Sequence, residues 1–266
     1  MTDYFQAFWL AALQGVTEFL PVSSSGHLVL LPHLLDWRDQ GLHFDVALHV
    51  GTLLAVLVYF RRDVALILVH WLRSLSGAPA TPYSRLAWAI VWATVMVGIA
   101  GVLMEAVINR WLRSPVPVAL ATIGFAVLLG WADRAGARRR RIDEIGWRDV
   151  IVIGSAQVLA LIPGTSRSGV TITAGLAMGL TREDAARFSF LLAIPVIALA
   201  GAWQSRHLVG TDAPVAWGVL VFATLVSGLV ALACIRWFLG FLRRFSLMPF
   251  VIYRIFLGVI ILYIFR

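Results

Sequence analysis

The sequence predicts an all-α integral membrane protein, an inverted-topology repeat of six transmembrane helices plus two re-entrant helix–loop–helix hairpins. Three observations carry this. The 266 residues are 60% hydrophobic with a mean hydropathy of +0.86, and only 14% are charged, against about 25% in a soluble domain. Apolar stretches of spanning length, roughly 17–25 residues, recur along the chain. The second half also repeats the landmarks of the first in the same order.

The six spans are placed at about 42–60, 86–104, 116–132, 188–203, 215–236 and 247–265. Regions 5–35 and 149–179 are equally apolar but are broken midway by Pro, Ser and Gly. Irregular backbone at membrane depth survives only where protein or water surrounds it, so these read as re-entrant hairpins. In the first hairpin Gln14 and Glu18 stand four apart on a helix and share a face. Pro21 cannot continue that helix, and the loop after it holds Ser23, Ser24, Ser25, Gly26 and His27 before the apolar run Leu28 to Leu31. No basic stretch with a small-residue cleavage site opens the chain, which is therefore read as mature. Cys234 stands alone in an apolar span, so neither a disulfide framework nor a thiolate metal cluster is expected.

The repeat pairs Leu20-Pro21-Val22-Ser23-Ser24 and Ser25-Gly26 with Ile162-Pro163-Gly164-Thr165-Ser166 and Ser168-Gly169, Arg167 being the extra residue. It pairs Thr52-Leu53-Leu54-Ala55-Val56 with Phe190-Leu191-Leu192-Ala193-Ile194, Trp92-Ala93-Thr94-Val95 with Phe222-Ala223-Thr224-Leu225, and Pro117 with Pro249. Three spans per half put the halves, about 1–135 and 147–266 of one membrane domain, in opposite orientations. The polar stretch Asp133 to Trp147 is the linker between them. In such folds the site lies near the midplane, where the two interrupted segments meet.

All 22 basic residues are arginines and the net charge is +8. Nucleic acid is excluded as a partner, since no soluble domain offers a surface for it. The charge is topological: Arg61, Arg62, Arg73, Arg85, Arg138 to Arg141, Arg148, Arg182, Arg243 and Arg244 fall on one side, against Arg38, Arg110, Arg113, Arg206 and Arg266 on the other. The arginine-rich side is expected to be cytoplasmic, which turns both termini and the mouth of the first hairpin outward.

The second hairpin, Pro163 to Thr171, sets Arg167 among hydroxyls and glycines at a helix start. N–H groups and hydroxyls there favour an anion, and an arginine can fork onto two phosphate oxygens. A charge at mid-bilayer costs at least ~2.5 kcal/mol, so Arg167 needs a buried role; the plainer role is pairing with Glu18 to hold the halves together. Asp45 and His49, four apart on the first span, are intramembrane suspects of the same kind, or else simply bond to each other. Trp71, Trp88, Trp111, Trp131 and Trp147 lie near span ends and read as interface anchors. Thr181 with Glu183 and Asp184 reads as a helix start.

With these residues in place the chain resembles the undecaprenyl-diphosphate phosphatases of the bacitracin-resistance type. That family's first signature, Glu or Gln, three residues, Glu, then a Pro-Val-Ser-Ser loop ending Gly-His, is matched by Gln14, Glu18, Pro21, Ser23, Ser24, Gly26 and His27. Its second, Pro-Gly-x-Ser-Arg-Ser with a following Thr, is matched by Pro163, Gly164, Ser166, Arg167, Ser168 and Thr171. The resemblance covers the whole chain. It implies six spans with two re-entrant hairpins in the cytoplasmic membrane and a site open to the periplasm. The implied reaction is hydrolysis of a long isoprenyl diphosphate to the monophosphate, recycling the lipid carrier for cell-wall synthesis and conferring bacitracin resistance. It also implies a divalent cation at Glu18, with Gln14 the neutral option at the second position. Oxygen ligands favour Mg²⁺ or Ca²⁺. A homodimer is left open.

Within that reading Ser24 is the expected nucleophile, giving a transient phosphoserine, and needs a base. Glu18 and His27 are the titratable groups of the first hairpin, and His27, three residues on, is placed to meet Ser24. The rival is His27 as nucleophile. Arg167, Ser166 and Thr171 are expected on phosphoryl oxygens, with Ser23, Gly26 and Ser168 completing the diphosphate site. A transporter or flippase of the polyprenyl-phosphate lipid is the alternative class, since inverted repeats and broken helices also build carriers. A carrier has no need of a nucleophile with a base. A purely structural protein has no need of an arginine buried opposite a carboxylate.

Overall fold

The computed structural model describes residues 4–24, 27, 35, 37, 40–112, 114–206 and 216–265. Among these the chain is all-helical: α1 Tyr4–Thr17, α2 Leu42–Tyr59, α3 Arg61–Leu75, α4 Pro82–Val107, α5 Pro115–Ala135, α6 Trp147–Leu159, α7 Arg167–Ala177, α8 Arg182–Ser205, α9 Trp217–Leu242 and α10 Met248–Ile264. Five of them (α2, α4, α5, α8 and α9) are long and apolar enough to cross a membrane, and α10 is a shorter apolar helix of 17 residues. The surface is inverted relative to a soluble protein, with Leu103, Leu229, Phe256 and Tyr263 among many large apolar side chains facing outward. The chain is an all-α membrane protein.

Local chemistry sets the helix ends. Thr81 caps α4 by accepting from Ser84 N, with Pro82 at the first position. Thr181 caps α8 by accepting from Asp184 N at 3.1 Å, as the sequence predicts. Both broken regions are interrupted helices. In the second, α6 and α7 flank residues 160–166. In the first, α1 ends at Thr17 and helical geometry resumes at Ser24; Gly26 and the run Leu28 to Leu31 lie outside the described residues.

Two features depart from expectation. Residues 61–75, read only as part of an arginine-rich loop, form α3, a helix with arginines at its ends and exposed Leu68 and Leu72. That amphipathic pattern belongs to a helix lying along a membrane interface. Asp133, placed in the linker, is instead a buried end of α5. Its carboxylate accepts from Arg182 at 2.5 Å and from Leu247 N at 3.1 Å. The linker itself is pinned. Arg140 N donates to Gly179 O and Thr181 N to Arg140 O, while the Arg140 guanidinium holds both oxygens of Asp149 at 2.8 Å. Burial pushes the Asp149 carboxyl up, but the bonds from Arg140 and Gly146 and the Arg140 charge outweigh it and leave the carboxyl below its ordinary value.

Helix packing follows a pattern. α1 and α2 pack on α9; α6 and α8 pack on α4; α5 packs on α10. Small residues permit the closest approaches. At α2 and α9, Thr224 Oγ1 donates to Ala47 O and Ser227 Oγ to Leu48 O, both at 3.0 Å. A Cβ on Gly51 would overlap the Thr224 carbonyl oxygen. The main core joins Phe19, Phe190, Phe238 and Phe250 in successive ring contacts, with the Phe19 and Phe190 centroids 5.1 Å apart. Phe19, Leu20 and Val22 thus anchor the first loop in the core.

Gly51→Val should therefore destabilise by about 1–3 kcal/mol, the usual cost of overpacking, seen as a lower unfolding midpoint in detergent. Gly124→Val, at a position where a Cβ meets nothing within 4 Å, is the control and should leave the midpoint nearly unchanged.

Candidate active site

The tips of the two broken segments meet inside the protein. Ser168 Oγ donates to Leu20 O at 2.9 Å, and Arg167 NH2 donates to Glu18 Oε1 at 2.9 Å. Arg167 is the first residue of α7 and also leans on Ser189 O of α8. Glu18 Oε2 accepts from Gln14 Nε2 at 2.9 Å, the pairing that their four-residue spacing predicts. The Gln14 amide oxygen is buried without a hydrogen-bond partner.

The backbone at both tips has the same unusual turn. Ser23 (φ 71°) and Ser166 (φ 69°) are in the left-handed region, which non-glycine residues adopt at a cost. Each is followed at once by helix. Ser23 therefore corresponds to Ser166 and Ser24 to Arg167, and the extra residue of the second loop lies before the turn rather than at Arg167. Gly164 (φ 92°) occupies that insertion, and a Cβ there would overlap the Val118 carbonyl oxygen. Ser166 Oγ caps α7 by accepting from Gly169 N at 3.2 Å.

One histidine, His49, stands beside the ion pair, and a second, His27, is held by Ser23 and Tyr253. His27 Nδ1 donates to Ser23 O at 2.8 Å, so in the neutral ring Nε2 is the acceptor, and it accepts a hydrogen bond from the Tyr253 hydroxyl. The ring also stacks on Tyr253, with centroids 5.6 Å apart. The expected meeting of His27 with Ser24 is thus replaced by contacts with Ser23 and Tyr253. His49 Nδ1 donates to the Asp45 backbone carbonyl at 2.8 Å, not to its carboxylate. This leaves His49 Nε2 facing Gln14 Nε2 at 3.4 Å and Glu18 Oε2 at 3.9 Å. His49, a second-rank suspect in the sequence, therefore stands beside Glu18, with its side chain one-third exposed.

The other candidates divide by access. Ser24, Ser166 and Arg167 are half-buried, whereas Ser23, Ser168 and Thr171 are buried. Thr171 Oγ1 bonds to Arg167 O at 2.8 Å and to Ser189 Oγ at 2.7 Å, which clamps α7 to α8. Gly26 lies outside the described residues. Among the described residues no three His, Cys, Asp or Glu side chains gather as a metal cluster.

One residue that the sequence reading missed is Arg254 of α10, fully buried at 0% exposure. Its NH2 donates to Gly164 O at 3.0 Å and Thr165 O at 2.8 Å, while Nε and NH1 have no partner. It braces the second loop from behind, and its neighbour Tyr253 braces the first through His27. The signal was present: an arginine inside an apolar helix calls for a role.

This geometry can be set beside known proteins. Residues 7–260 match the family described as "Bacitracin resistance protein BacA". The chain is 52% identical over 263 residues to an undecaprenyl-diphosphatase of Nitrosococcus oceani, covering 99% of both chains. It is 53% identical over 264 residues to one of Thioalkalivibrio sulfidiphilus, again covering 99% of each. To undecaprenyl-diphosphatase 2 of Stutzerimonas stutzeri it is 50% identical, with 99% and 98% covered. A match that runs through both loops and nearly every helix leaves no part of the fold unaccounted for: the chain belongs to the bacitracin resistance BacA family.

Proposed function

We propose that the chain hydrolyses undecaprenyl diphosphate to undecaprenyl phosphate and inorganic phosphate, which recycles the lipid carrier for cell-wall synthesis and confers bacitracin resistance. Family membership and the activity named for relatives at about half identity support the substrate. The observation that carries the chemistry is the Arg167–Glu18 pair where two broken helices meet, with half-buried Ser24 following Ser23 at the tip of the first loop. A lipid carrier would use the arginine but has no need of a hydroxyl, a carboxylate and an imidazole gathered beside it.

In this proposal Ser24 Oγ attacks the terminal phosphorus. The Ser24 Oγ–P bond forms, the anhydride P–O bond breaks, and undecaprenyl phosphate leaves with the bonding electron pair. The serine proton passes to Glu18, with His49 Nε2, 3.4 Å from the Gln14 amide nitrogen and 3.9 Å from Glu18 Oε2, alongside as a second acceptor. Water then cleaves the phosphoserine and releases phosphate. His27 is disfavoured as nucleophile, because its acceptor nitrogen is already taken by Tyr253. Arg167 and Ser166 contact the phosphoryl oxygens, where charge builds. Arg167 must exchange part of its bond to Glu18 for the substrate, which frees the carboxylate to take the proton.

A divalent cation, Mg²⁺ or Ca²⁺, belongs to the same proposal. The donors suit it: Glu18 supplies a carboxylate, and the Gln14 amide oxygen is buried and unpartnered one helical turn away. Mg²⁺ in particular commonly takes few protein ligands and completes its shell with phosphate and water. When bound it would neutralise diphosphate charge.

We further propose the inverted repeat, with six spans and halves 1–135 and 147–266. The exchange of partners supports it: α1 and α2 on α9 mirror α6 and α8 on α4, while α5 meets α10 about the centre. The paired left-handed serines agree with it. The site then opens to the periplasmic face of the cytoplasmic membrane, with both termini outside. The support is that Arg182, Arg243 and the Arg138–Arg141 stretch gather at one end of the bundle.

Purified protein in detergent should release phosphate from undecaprenyl diphosphate, and Ser24→Ala should nearly abolish release while lipid binding survives. Retention of more than about a tenth of turnover, roughly 1.4 kcal/mol of barrier, would remove Ser24 from the nucleophile role. Arg167→Lys should be badly impaired although the charge is kept, since a fork of two donors is lost; near-normal turnover would make Arg167 a structural cation. For sidedness, in a Cys234→Ser background, a cysteine at Ala216 should react with a membrane-impermeant thiol reagent on spheroplasts and one at Ala137 should not. The reverse pattern would turn the site toward the cytoplasm.

A further inference from the structure

A cavity of about 930 Å³ lies between α4 and α8, well apart from the polar cluster. It is at the upper end of the range that small-molecule pockets occupy, ~300–1,000 Å³, and its walls are mostly apolar. Two glycines on one face of α4, Gly98 and Gly101, form part of its floor. A Cβ on Gly98 would stand 3.2 Å from Leu199 Cδ2, and one on Gly101 3.8 Å from Leu161 Cδ2. Leu161 belongs to the second loop, only six residues before Arg167. The outward-facing Ile99 and Leu199 show that the cavity opens sideways, toward the lipid rather than along the bundle. Glu105 and Gln204 line its far end, where Glu105 is paired with Arg206 at 3.6 Å.

Two helices give its distance from the site independently. On α8, Ser189 receives Arg167, and the cavity begins at Val196, seven residues on. On α2, His49 stands beside Glu18, and the cavity is reached at Leu42, seven residues back. At ~1.5 Å rise per residue each path is about 10 Å. On α2 the positions 42, 45 and 49 share one helix face, so a single stripe runs from the cavity wall to the ion pair. A molecule whose diphosphate sits on Arg167 therefore meets this cavity one or two isoprene units along its chain. Pro195, inside α8 and just before Val196, removes a backbone hydrogen bond at the same level.

We infer that the groove between α4 and α8 holds the isoprene units that follow the first one or two of the substrate tail and makes the enzyme selective for chains long enough to fill it. This rests on the phosphatase reading above. The remainder of an undecaprenyl tail, too long for the cavity, leaves through the lateral opening into the bilayer. Apolar walls supply the binding, at about 25 cal/mol per Å² of tail surface removed from water, and shape supplies the preference. Substrate with too short a chain reaches the ion pair but leaves the groove unfilled.

The test is a chain-length series of isoprenyl diphosphates, from one unit to eleven, assayed for phosphate release with purified protein. Gly101→Leu fills the groove from α4 and Ala200→Phe fills it from the exposed side of α8. Each should lower kcat/KM for undecaprenyl diphosphate about tenfold or more, the scale on which misplaced methylenes act in an apolar pocket. For the shortest chain that the wild type hydrolyses, the change should stay within about twofold. Unfolding midpoints identify a variant that misfolds, and the second wall then decides. An unchanged chain-length profile, or a loss equal at every length in folded protein, overturns the inference. Failure of the wild type to hydrolyse any member of the series would instead overturn the phosphatase reading itself.

Discussion

Everything at the centre of this protein depends on one largely buried ion pair, Glu18 with Arg167, formed between loops 149 residues apart in sequence. Neither charge could stand alone there: taking one member from a buried pair typically costs about 3–5 kcal/mol, because the other is left uncompensated. Pairing with each other, with Gln14, and with backbone carbonyls makes the site affordable in an apolar surrounding. The same pairing is a weakness at the moment of substrate binding. A diphosphate offers Arg167 more negative charge than one carboxylate can. In the proposed mechanism, the interaction that holds the loops together is also the one that the substrate must partly displace.

Such an exchange requires that the loops stay put when the pair loosens, and their other contacts serve that end. Phe19 is locked against Phe190 in the main core. Ser168 bonds across to Leu20, and Thr122 and Arg254 converge on the Gly164 carbonyl. His27 is fixed between Ser23 and Tyr253. None of these contacts uses the Glu18 carboxylate or the Arg167 guanidinium, so the scaffold and the chemistry are held by separate bonds. The strained serines at positions 23 and 166 persist because these neighbours over-determine them.

Much of this was legible in the residues. Long apolar runs located the five helices long enough to span a membrane and the shorter apolar α10 to within about six residues, since nothing competes with hydrophobicity for that signal. The breaks were marked by Pro21 and Pro163, and a carboxylate and an arginine in apolar surroundings had to find each other. What escaped was long-range or purely geometric. Arg254 and Tyr253 form an unremarkable dipeptide whose partners lie some 90 and 226 residues away. Thr171 and Ser168 looked like anion donors, but a hydroxyl buried in a helix contact satisfies itself on the nearest carbonyl. The register of the two loops was misread by one residue, because identity of letters aligned Ser166 with Ser24 whereas backbone turn aligns it with Ser23. Asp133 was assigned to a linker by its polarity, although its bonds to Arg182 and Leu247 make it part of the core.

Arg254 has a consequence for how the protein is made. It sits midway along the last helix, which is only 17 residues long, and its two bonded carbonyls belong to Gly164 and Thr165. A central arginine adds ~2.5–3.5 kcal/mol to the insertion of a helix taken by itself. During synthesis α10 is therefore a poor candidate to leave the translocon alone for the lipid. It becomes a stable membrane segment only when the second loop is already folded to receive the guanidinium. The expected order of assembly is thus that the second loop folds first and α10 enters as the piece that completes it.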